Sequence, residues 1–229
     1  MRSLRLQRLR AQVCETNQDL PRYGLVVMHS GNASGYDPAS GRLVIKPSGM
    51  DYDKITPENL VEVDVATGEV IDSELRPSVD LPHHVYLYRN LPDVRSVIHT
   101  HSNCATAFAS CHLPIPLCLT AIADEFGSHV PCAPYASNEG DAIGRSIVEH
   151  KTTAPAILLA NHGVFAWGPT PAAALKAAVM VEDVAKTLLY AKQIGTPLPL
   201  PAEEVARWHD RYQNRYGQPF VPEPQQRAA

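Results

Sequence analysis

The sequence lacks the features that would place the chain in a membrane or on nucleic acid. No apolar run approaches the roughly 18 residues that a membrane-spanning helix needs. Basic residues are not in excess, because 20 Lys and Arg stand against 24 Asp and Glu, which argues against a general nucleic-acid binder. The basic segment of residues 1–10 has no continuous apolar stretch behind it, so no signal peptide is predicted. We expect a cytoplasmic protein.

Cysteine is scarce, and its spacing does not suggest pairing. The five cysteines form an odd set with no C-x-x-C pair: Cys14, Cys104, Cys111, Cys118 and Cys132. A disulfide framework or a structural zinc knuckle would need an even set or close pairs. We interpret these residues as small buried apolar side chains.

The composition is that of a folded globular chain. Hydrophobic residues make up 45% of the 229 residues and charged residues 19%, which excludes disorder for the bulk of the chain. Patterns typical of strands and helices alternate along the chain without a domain-sized linker. We therefore predict one α/β domain over residues 1–218, with helices on both faces of a mixed sheet, and a mobile tail of residues 219–229.

Local patterns give approximate positions for the elements. A helical apolar stripe begins the chain and ends before Pro21. Thr170 and Pro171 predict the start of a long helix that Gly195 ends. The other predicted strands are 25–28, 42–46, 60–65, 95–101, 156–160 and 164–167, and the other predicted helices are 83–89, 105–110 and 202–216.

Three histidines carry the strongest chemical signal. His99 and His101 lie two residues apart in a predicted strand, so their side chains share one face and could chelate one metal ion. His162 follows a buried strand, and Gly163 after it permits a tight turn beside a ligand. Three histidines at strand ends are typical of a catalytic metal site with open coordination positions.

Asp80 stands just before the helix that leads to the histidine strand. It could be a fourth ligand, a residue that orients a ligand, an acid/base catalyst or an ordinary helix-start aspartate. His83 and His84 follow on this helix, and we expect one of them to be exposed.

Three stretches of small residues could bind an anion through backbone N–H groups and hydroxyls. They are 30–34, 47–50 and 76–79, and Lys46 adds a positive charge beside the second. None has the spacing of a nucleotide-binding loop, and each could equally be an ordinary turn.

The order of these motifs resembles the class II aldolase/adducin family. The motifs are 31–32, Lys46-Pro-Ser-Gly49, Pro77-Ser-Val-Asp80, His99-Thr-His101 and 161–163, and the resemblance covers about residues 5–218. It implies a three-layer α/β/α sandwich with a mixed, largely antiparallel sheet. It also implies a C4 homotetramer whose interface sites hold a divalent metal, usually zinc, with Mn²⁺ or Co²⁺ as alternatives. The implied ligands are His99, His101 and His162, and the implied phosphate-site residues are Gly31, Asn32, Ser48, Gly49 and Ser78.

Within this family the chain looks most like the L-ribulose-5-phosphate 4-epimerases. Asp80 stands where epimerases have Asp and fuculose-type aldolases have Glu, Asp124 falls where epimerases have a catalytic aspartate, and Tyr216 resembles a tyrosine that reaches a neighbouring subunit's site. Val79 and Ile122 depart from the epimerase pattern, and residues 131–136 are closer to the aldolases. The alternatives are a class II sugar-phosphate aldolase of the L-fuculose-1-phosphate type and a non-catalytic adducin-like scaffold.

Overall fold

The computed structural model describes residues 3–71 and 73–217. The tail predicted for residues 219–229 lies outside these residues. Within them, no helix is both long enough and apolar enough to cross a membrane.

A seven-stranded sheet forms the centre of the molecule, with the spatial order β3-β2-β1-β4-β7-β6-β5. Among the strands of the described residues only β5 and β6 pair in parallel, so the sheet is mixed and largely antiparallel as the resemblance implied. The strands are β1 (Asn32–Asp37), β2 (Arg42–Ile45), β3 (Val61–Asp64), β4 (Ser96–Thr100), β5 (Cys132–Ala133), β6 (Ala156–Leu159) and β7 (Gly163–Gly168).

Helices cover both faces of the sheet and give the expected three layers. One apolar core lies under α1, α3, α4 and α6, and the other lies under α2 and α5. The helices are α1 (Leu4–Arg22), α2 (Leu81–Asn90), α3 (Asn103–Ser110), α4 (Thr120–Phe126), α5 (Ala142–His150), α6 (Pro171–Ile194) and α7 (Ala202–Arg215). The last of these packs on α4.

The first strand is not where the apolar pattern predicted it. Residues 25–28 form no strand, and the small residues of 32–37 form β1. Gly35 explains the difference, because a Cβ at this position would lie 2.7 Å from side-chain atoms of both Leu9 and Val13. The strand is poor in large residues because α1 packs directly onto its backbone.

The long helix α6 follows its sequence signals. Thr170 Oγ1 accepts a hydrogen bond from the Ala173 N–H at 3.1 Å, Pro171 is the first helical residue, and Gly195 ends the helix. The cysteines fit their prediction less well. All five are free, but only Cys14 is buried and Cys111 is exposed.

Candidate metal centre

The three predicted ligands meet where β4 ends and β7 begins. His99 lies on β4 opposite Phe165 of β7, His101 follows β4 directly, and His162 forms the turn before β7. One ring nitrogen from each histidine lies within 4.8 Å of the others. The ring centroids are 4.7 to 5.2 Å apart.

The donor set suits a divalent metal. His99 is 1% exposed, and its Nδ1 lies 2.9 Å from the Val164 carbonyl oxygen. Nδ1–H therefore donates to this carbonyl, which leaves Nε2 unprotonated and available as a ligand. Burial lowers the pKa of His99 to about 3, so the imidazole is neutral, as metal ligation requires.

Two residues of the turn hold the histidines close together. A Cβ on Gly163 would lie 2.5 Å from the Thr100 carbonyl oxygen and 2.7 Å from His101 Cδ2, so glycine is required for this approach. Asn161 has a φ of 58°, and its Oδ1 lies 2.6 Å from His112 Nε2. This left-handed residue turns the chain so that His162 faces β4.

Asp80 lies beside the triad at the start of α2. Its Oδ2 accepts a 2.6 Å hydrogen bond from Asn32 Nδ2. Burial raises the pKa of Asp80, but its interactions with the neighbouring His99 and His84 and the hydrogen bond from Asn32 outweigh this effect and leave the pKa below its usual range. Asp80 is thus a half-buried carboxylate held in its ionised form.

The predicted anion-binding stretches converge beside Asp80. Ser48 N–H donates to the Arg76 carbonyl at 2.9 Å, and Ser78 N–H donates to the Lys46 carbonyl at 2.9 Å, so the two segments run side by side. Asn32 Nδ2 also lies 3.0 Å from Ser78 Oγ, which links this region to Asp80.

An open cleft of about 410 Å³ lies over the paired segments. Ser48 and Gly49 line it, together with two cations, Lys54 and Arg76, and two carboxylates, Asp51 and Glu74. Lys54 Nζ is paired with Asp51 Oδ2 at 2.6 Å, which leaves Arg76 as the cation suited to an anion. Gly49 has a φ of +66°, and Gly31, nearer the triad, has a φ of +76°. Arg76 begins the predicted anion-binding stretch 76–79, whereas Lys54 lies outside the predicted stretches.

Lys46 does not line the cleft. Its Nζ donates to the His29 carbonyl at 3.2 Å and lies 4.8 Å from the centre of the Tyr52 ring. The side chain is 2% exposed, and burial lowers its pKa. Its ammonium group holds the 29–31 loop against Tyr52, and only its backbone carbonyl contacts the Ser78 segment.

Asp124 lies apart from the triad of its own chain. It is on α4, and its carbonyl oxygen accepts a 3.1 Å hydrogen bond from His209 Nδ1 of α7. The neighbouring Glu125 lines a cavity of about 530 Å³ with Trp167, at the opposite end of β7 from His162.

Tyr216 lies near the same cavity, directly after α7. Its ring stacks on Tyr212 at a centroid distance of 4.7 Å, and the residue is 66% exposed. Lys176 contacts both the Tyr212 ring and the Glu125 carboxylate, which joins α7, α6 and α4. The described chain therefore brings neither Tyr216 nor Asp124 to its own histidines.

His83 and His84 were expected to differ in exposure, and this expectation is wrong. They are 1% and 0% exposed because both rings pack edge-on against Phe165 of β7. The position of His84 one helical turn after Asp80 could have indicated that it shares the buried face.

Comparisons with known proteins agree with this geometry. The chain matches the family described as Class II Aldolase and Adducin N-terminal domain over residues 11–189. A solved structure of L-fuculose 1-phosphate aldolase is 28% identical, with a TM-score of 0.82 over 93% of this chain and 98% of the other. YgbL from Escherichia coli is 27% identical, with a TM-score of 0.77 over 89% and 99% of the two chains. L-fuculose-1-phosphate aldolase from Thermus thermophilus is 26% identical, with a TM-score of 0.69 over 83% and 98%. The chain belongs to the class II aldolase and adducin N-terminal domain family.

Proposed function

We propose that the protein is a metal-dependent enzyme that breaks and re-forms a carbon–carbon bond of a sugar phosphate. The observation that carries this proposal is the convergence of three neutral imidazoles with the half-buried, ionised Asp80. A purely structural adducin-like module would have no use for a complete ligand triad next to a carboxylate.

His99, His101 and His162 would hold the divalent ion, for which zinc is our first choice. When bound, such an ion supplies Lewis-acid stabilisation of negative charge on a substrate oxygen. The Val164 carbonyl fixes the tautomer of His99, and Gly163 allows the second and third rings to approach.

Asp80 is our candidate for moving a proton at the substrate carbon or hydroxyl next to the carbonyl group. Its lowered pKa keeps it ionised at neutral pH, so it has a free oxygen to take a proton. Asn32 donates to its Oδ2 and keeps the carboxylate in place between the triad and the Ser78 segment.

The substrate phosphate would bind in the cleft over Ser48 and Gly49. The Ser48 hydroxyl and the Arg76 guanidinium are suitable partners for an anion there, whereas the Ser48 and Ser78 N–H groups already donate to backbone carbonyls. Ser78 contacts Asn32 and Gly31 contacts the His99 backbone, so a sugar chain that joins this cleft to the triad would pass these residues. We assign Lys46 to the same region as a structural support rather than as a direct phosphate ligand.

We favour an L-ribulose-5-phosphate 4-epimerase, which interconverts L-ribulose 5-phosphate and D-xylulose 5-phosphate. Cleavage between C3 and C4 releases an aldehyde fragment inside the site; the fragment rotates, and the bond re-forms with C4 inverted. Protonation on opposite faces needs two separate groups, for which Asp124 and Tyr216 are our candidates. The identity of residue 80 as Asp supports this choice.

A class II aldolase that releases the aldehyde is the second candidate. It is favoured by the similarity to two structures named L-fuculose-1-phosphate aldolase. Val79, which is 79% exposed, replaces a serine of the epimerase pattern and removes one phosphate donor expected of an epimerase.

The positions of Asp124 and Tyr216 support a shared site in a homo-oligomer, for which we propose a C4 tetramer. Both residues lie near the opposite end of β7 from the histidines. They could act only on the substrate bound to a neighbouring copy.

The deciding assay incubates the zinc-loaded protein with L-ribulose 5-phosphate and, separately, with L-fuculose 1-phosphate. An epimerase forms D-xylulose 5-phosphate without releasing stoichiometric aldehyde. An aldolase releases aldehyde from the second substrate. No reaction with either compound, in protein that holds its metal, would contradict both candidates.

Subunit mixing tests the shared site. Tyr216→Phe and His99→Ala chains are each expected to be inactive, whereas mixed oligomers should regain activity because some sites combine an intact triad with an intact tyrosine. Demonstrated mixed oligomers without recovered activity would contradict the arrangement.

A further inference from the structure

A buried chain of polar side chains runs below Asp80. Tyr88 Oη lies 2.6 Å from Ser34 Oγ, and Ser34 Oγ lies 2.7 Å from His84 Nδ1. Ser34 and His84 are fully buried and Tyr88 is 5% exposed. His84 Nε2, at the end of this chain, is also buried and has no hydrogen-bond partner among the described residues.

The positions of the protons in the Tyr88–Ser34–His84 hydrogen bonds identify the tautomer of His84. Among the described residues, Ser34 Oγ is the acceptor within reach of the Tyr88 hydroxyl proton. If Tyr88 donates to Ser34, the serine proton is directed to His84 Nδ1, and the imidazole proton is then on Nε2. In the reverse direction, His84 Nδ1–H donates to Ser34 and Ser34 donates to Tyr88. Both the Tyr88 proton and His84 Nε2 then have no partner, so this direction leaves one more buried polar group unsatisfied and is less stable. Burial lowers the pKa of His84 to about 4, so the ring is neutral and the choice of tautomer is meaningful.

The group that we assign to this N–H is Asp80, and Asn32 Oδ1 is a second buried acceptor without a hydrogen-bond partner among the described residues. The two residues lie four positions apart at the start of α2, on one face of the helix. Asp80 is the carboxylate whose charge acts on His84. Asn32 occupies Oδ2 of Asp80, whereas Oδ1 makes no hydrogen bond within the described part of the chain.

His84 is also held rigidly relative to the metal centre. Its ring lies edge-on against Phe165 with a centroid distance of 5.8 Å, and Phe165 stacks on His99 at 4.4 Å. The Ser34 carbonyl, on the same strand residue that contacts His84, accepts a 2.7 Å bond from Ser96 Oγ of β4. The sheet therefore fixes the direction of the imidazole from two sides.

We propose that His84 is a positioning residue that orients the free oxygen of Asp80 by donating its Nε2–H, with Tyr88 and Ser34 setting the tautomer. The structure shows no direct hydrogen bond between the two groups, so the proposal requires a rotation of the Asp80 carboxylate or one bridging water. The effect of His84 on turnover rests on the proposed function, whereas the tautomer and the hydrogen bond do not.

The first test observes the proton directly. Full-length protein labelled with ¹⁵N-histidine is studied by long-range ¹H–¹⁵N correlation NMR at neutral pH, and the His84 signals are assigned from their loss in His84→Gln. We expect Nε2 to be protonated and Nδ1 to be the acceptor. The opposite tautomer overturns the proposal, whatever the enzyme does.

The second test compares two substitutions, each of which replaces the hydrogen-bonding role of one of the two ring nitrogens. His84→Gln places an amide donor near the Nε2 position, whereas His84→Asn can still contact Ser34 but cannot reach Asp80. Crystal structures should show the Asp80 carboxylate within hydrogen-bond distance of residue 84, directly or through one water, in wild type and His84→Gln. In His84→Asn the carboxylate should be displaced. An unchanged Asp80 in His84→Asn overturns the positioning role.

Kinetics complete the comparison. For His84→Asn we expect kcat to fall about 10- to 100-fold, with KM and zinc content near those of wild type, and for His84→Gln we expect partial recovery. Equal kcat values for wild type and His84→Asn would overturn the proposal. A wild-type protein inactive on both sugar phosphates would contradict the proposed function alone, because the NMR and crystallographic tests still decide the role of His84.

Discussion

Replacement of Gly163 by alanine should damage the metal centre without replacing a ligand. The added Cβ would lie 2.5 Å from the Thr100 carbonyl oxygen, whereas real Cβ contacts essentially never fall below 3.0 Å. The strands must therefore separate by about 0.5 Å or more, which is the tolerance within which a binding site must be held. The same Cβ would lie 2.7 Å from His101 Cδ2 and push this ring away from His162.

Two effects follow from this overlap. Overpacking between β4 and β7 should lower the free energy of unfolding by about 1–3 kcal/mol. Displacement of His101 should weaken zinc binding by about 10- to 100-fold, the loss typical when the support of a ligand is disturbed. The φ of Gly163 is not in the left-handed region, so alanine adds no backbone strain at this position. The substitution therefore tests only the overlap of the added Cβ with Thr100 and His101.

The assay is competition for Zn²⁺ with a chromogenic chelator, with thermal unfolding of the metal-free protein measured in parallel. Gly195→Ala is the matched control, because Gly195 has extended backbone and a Cβ there meets nothing within 4 Å. The control should bind zinc like wild type. If Gly163→Ala also binds zinc with wild-type affinity, the close approach of β7 to His101 is not what holds the site together.

Three further predictions concern stability. Because burial lowers the folded-state pKa of His84 to about 4, the unfolded chain binds the extra proton first, so stability should fall by up to about 3 kcal/mol as the pH drops from about 6.5 to 4. Urea unfolding across this range should show a shallower pH slope in His84→Gln, and an unchanged slope would contradict the assignment. Asn161→Ala should cost about 1–2 kcal/mol, from the left-handed φ and the lost His112 bond, whereas Asn161→Gly should recover the backbone part in denaturant melts. Thr170→Ala should cost about 1 kcal/mol because it removes the cap on the Ala173 N–H, and Thr170→Ser should restore stability in the same melts.

Signals that act within a few residues were sufficient for much of the fold. The cap at Thr170, the proline at 171 and the glycine at 195 give the correct limits of α6, since each acts on neighbouring backbone groups. The two-residue spacing of His99 and His101 likewise places both on one side of a strand end.

Features that depend on a distant partner could not be predicted. The strand β1 contains small residues because α1 packs against it, with Leu9 and Val13 close to Gly35. The pattern of apolar residues within 32–37 does not reveal this contact. The burial of both His83 and His84 depends on Phe165, which belongs to a strand far along the chain. The remoteness of Asp124 and Tyr216 from the triad similarly arises from the packing of α4, α6 and α7.

The ligand triad also couples metal binding to chain folding, because its histidines lie on or beside the paired strands β4 and β7. His101 and His162 are 61 positions apart, and α3, α4, β5, α5 and β6 lie between them. The ring nitrogens come together only after this long loop has closed and β4 has paired with β7, a slow kind of contact to form. An ion that binds only the closed form would stabilise it by about 4 kcal/mol at a thousand times its Kd. The rate of zinc binding during refolding should therefore report the rate of loop closure. Zinc binding should lag behind helix formation measured by circular dichroism.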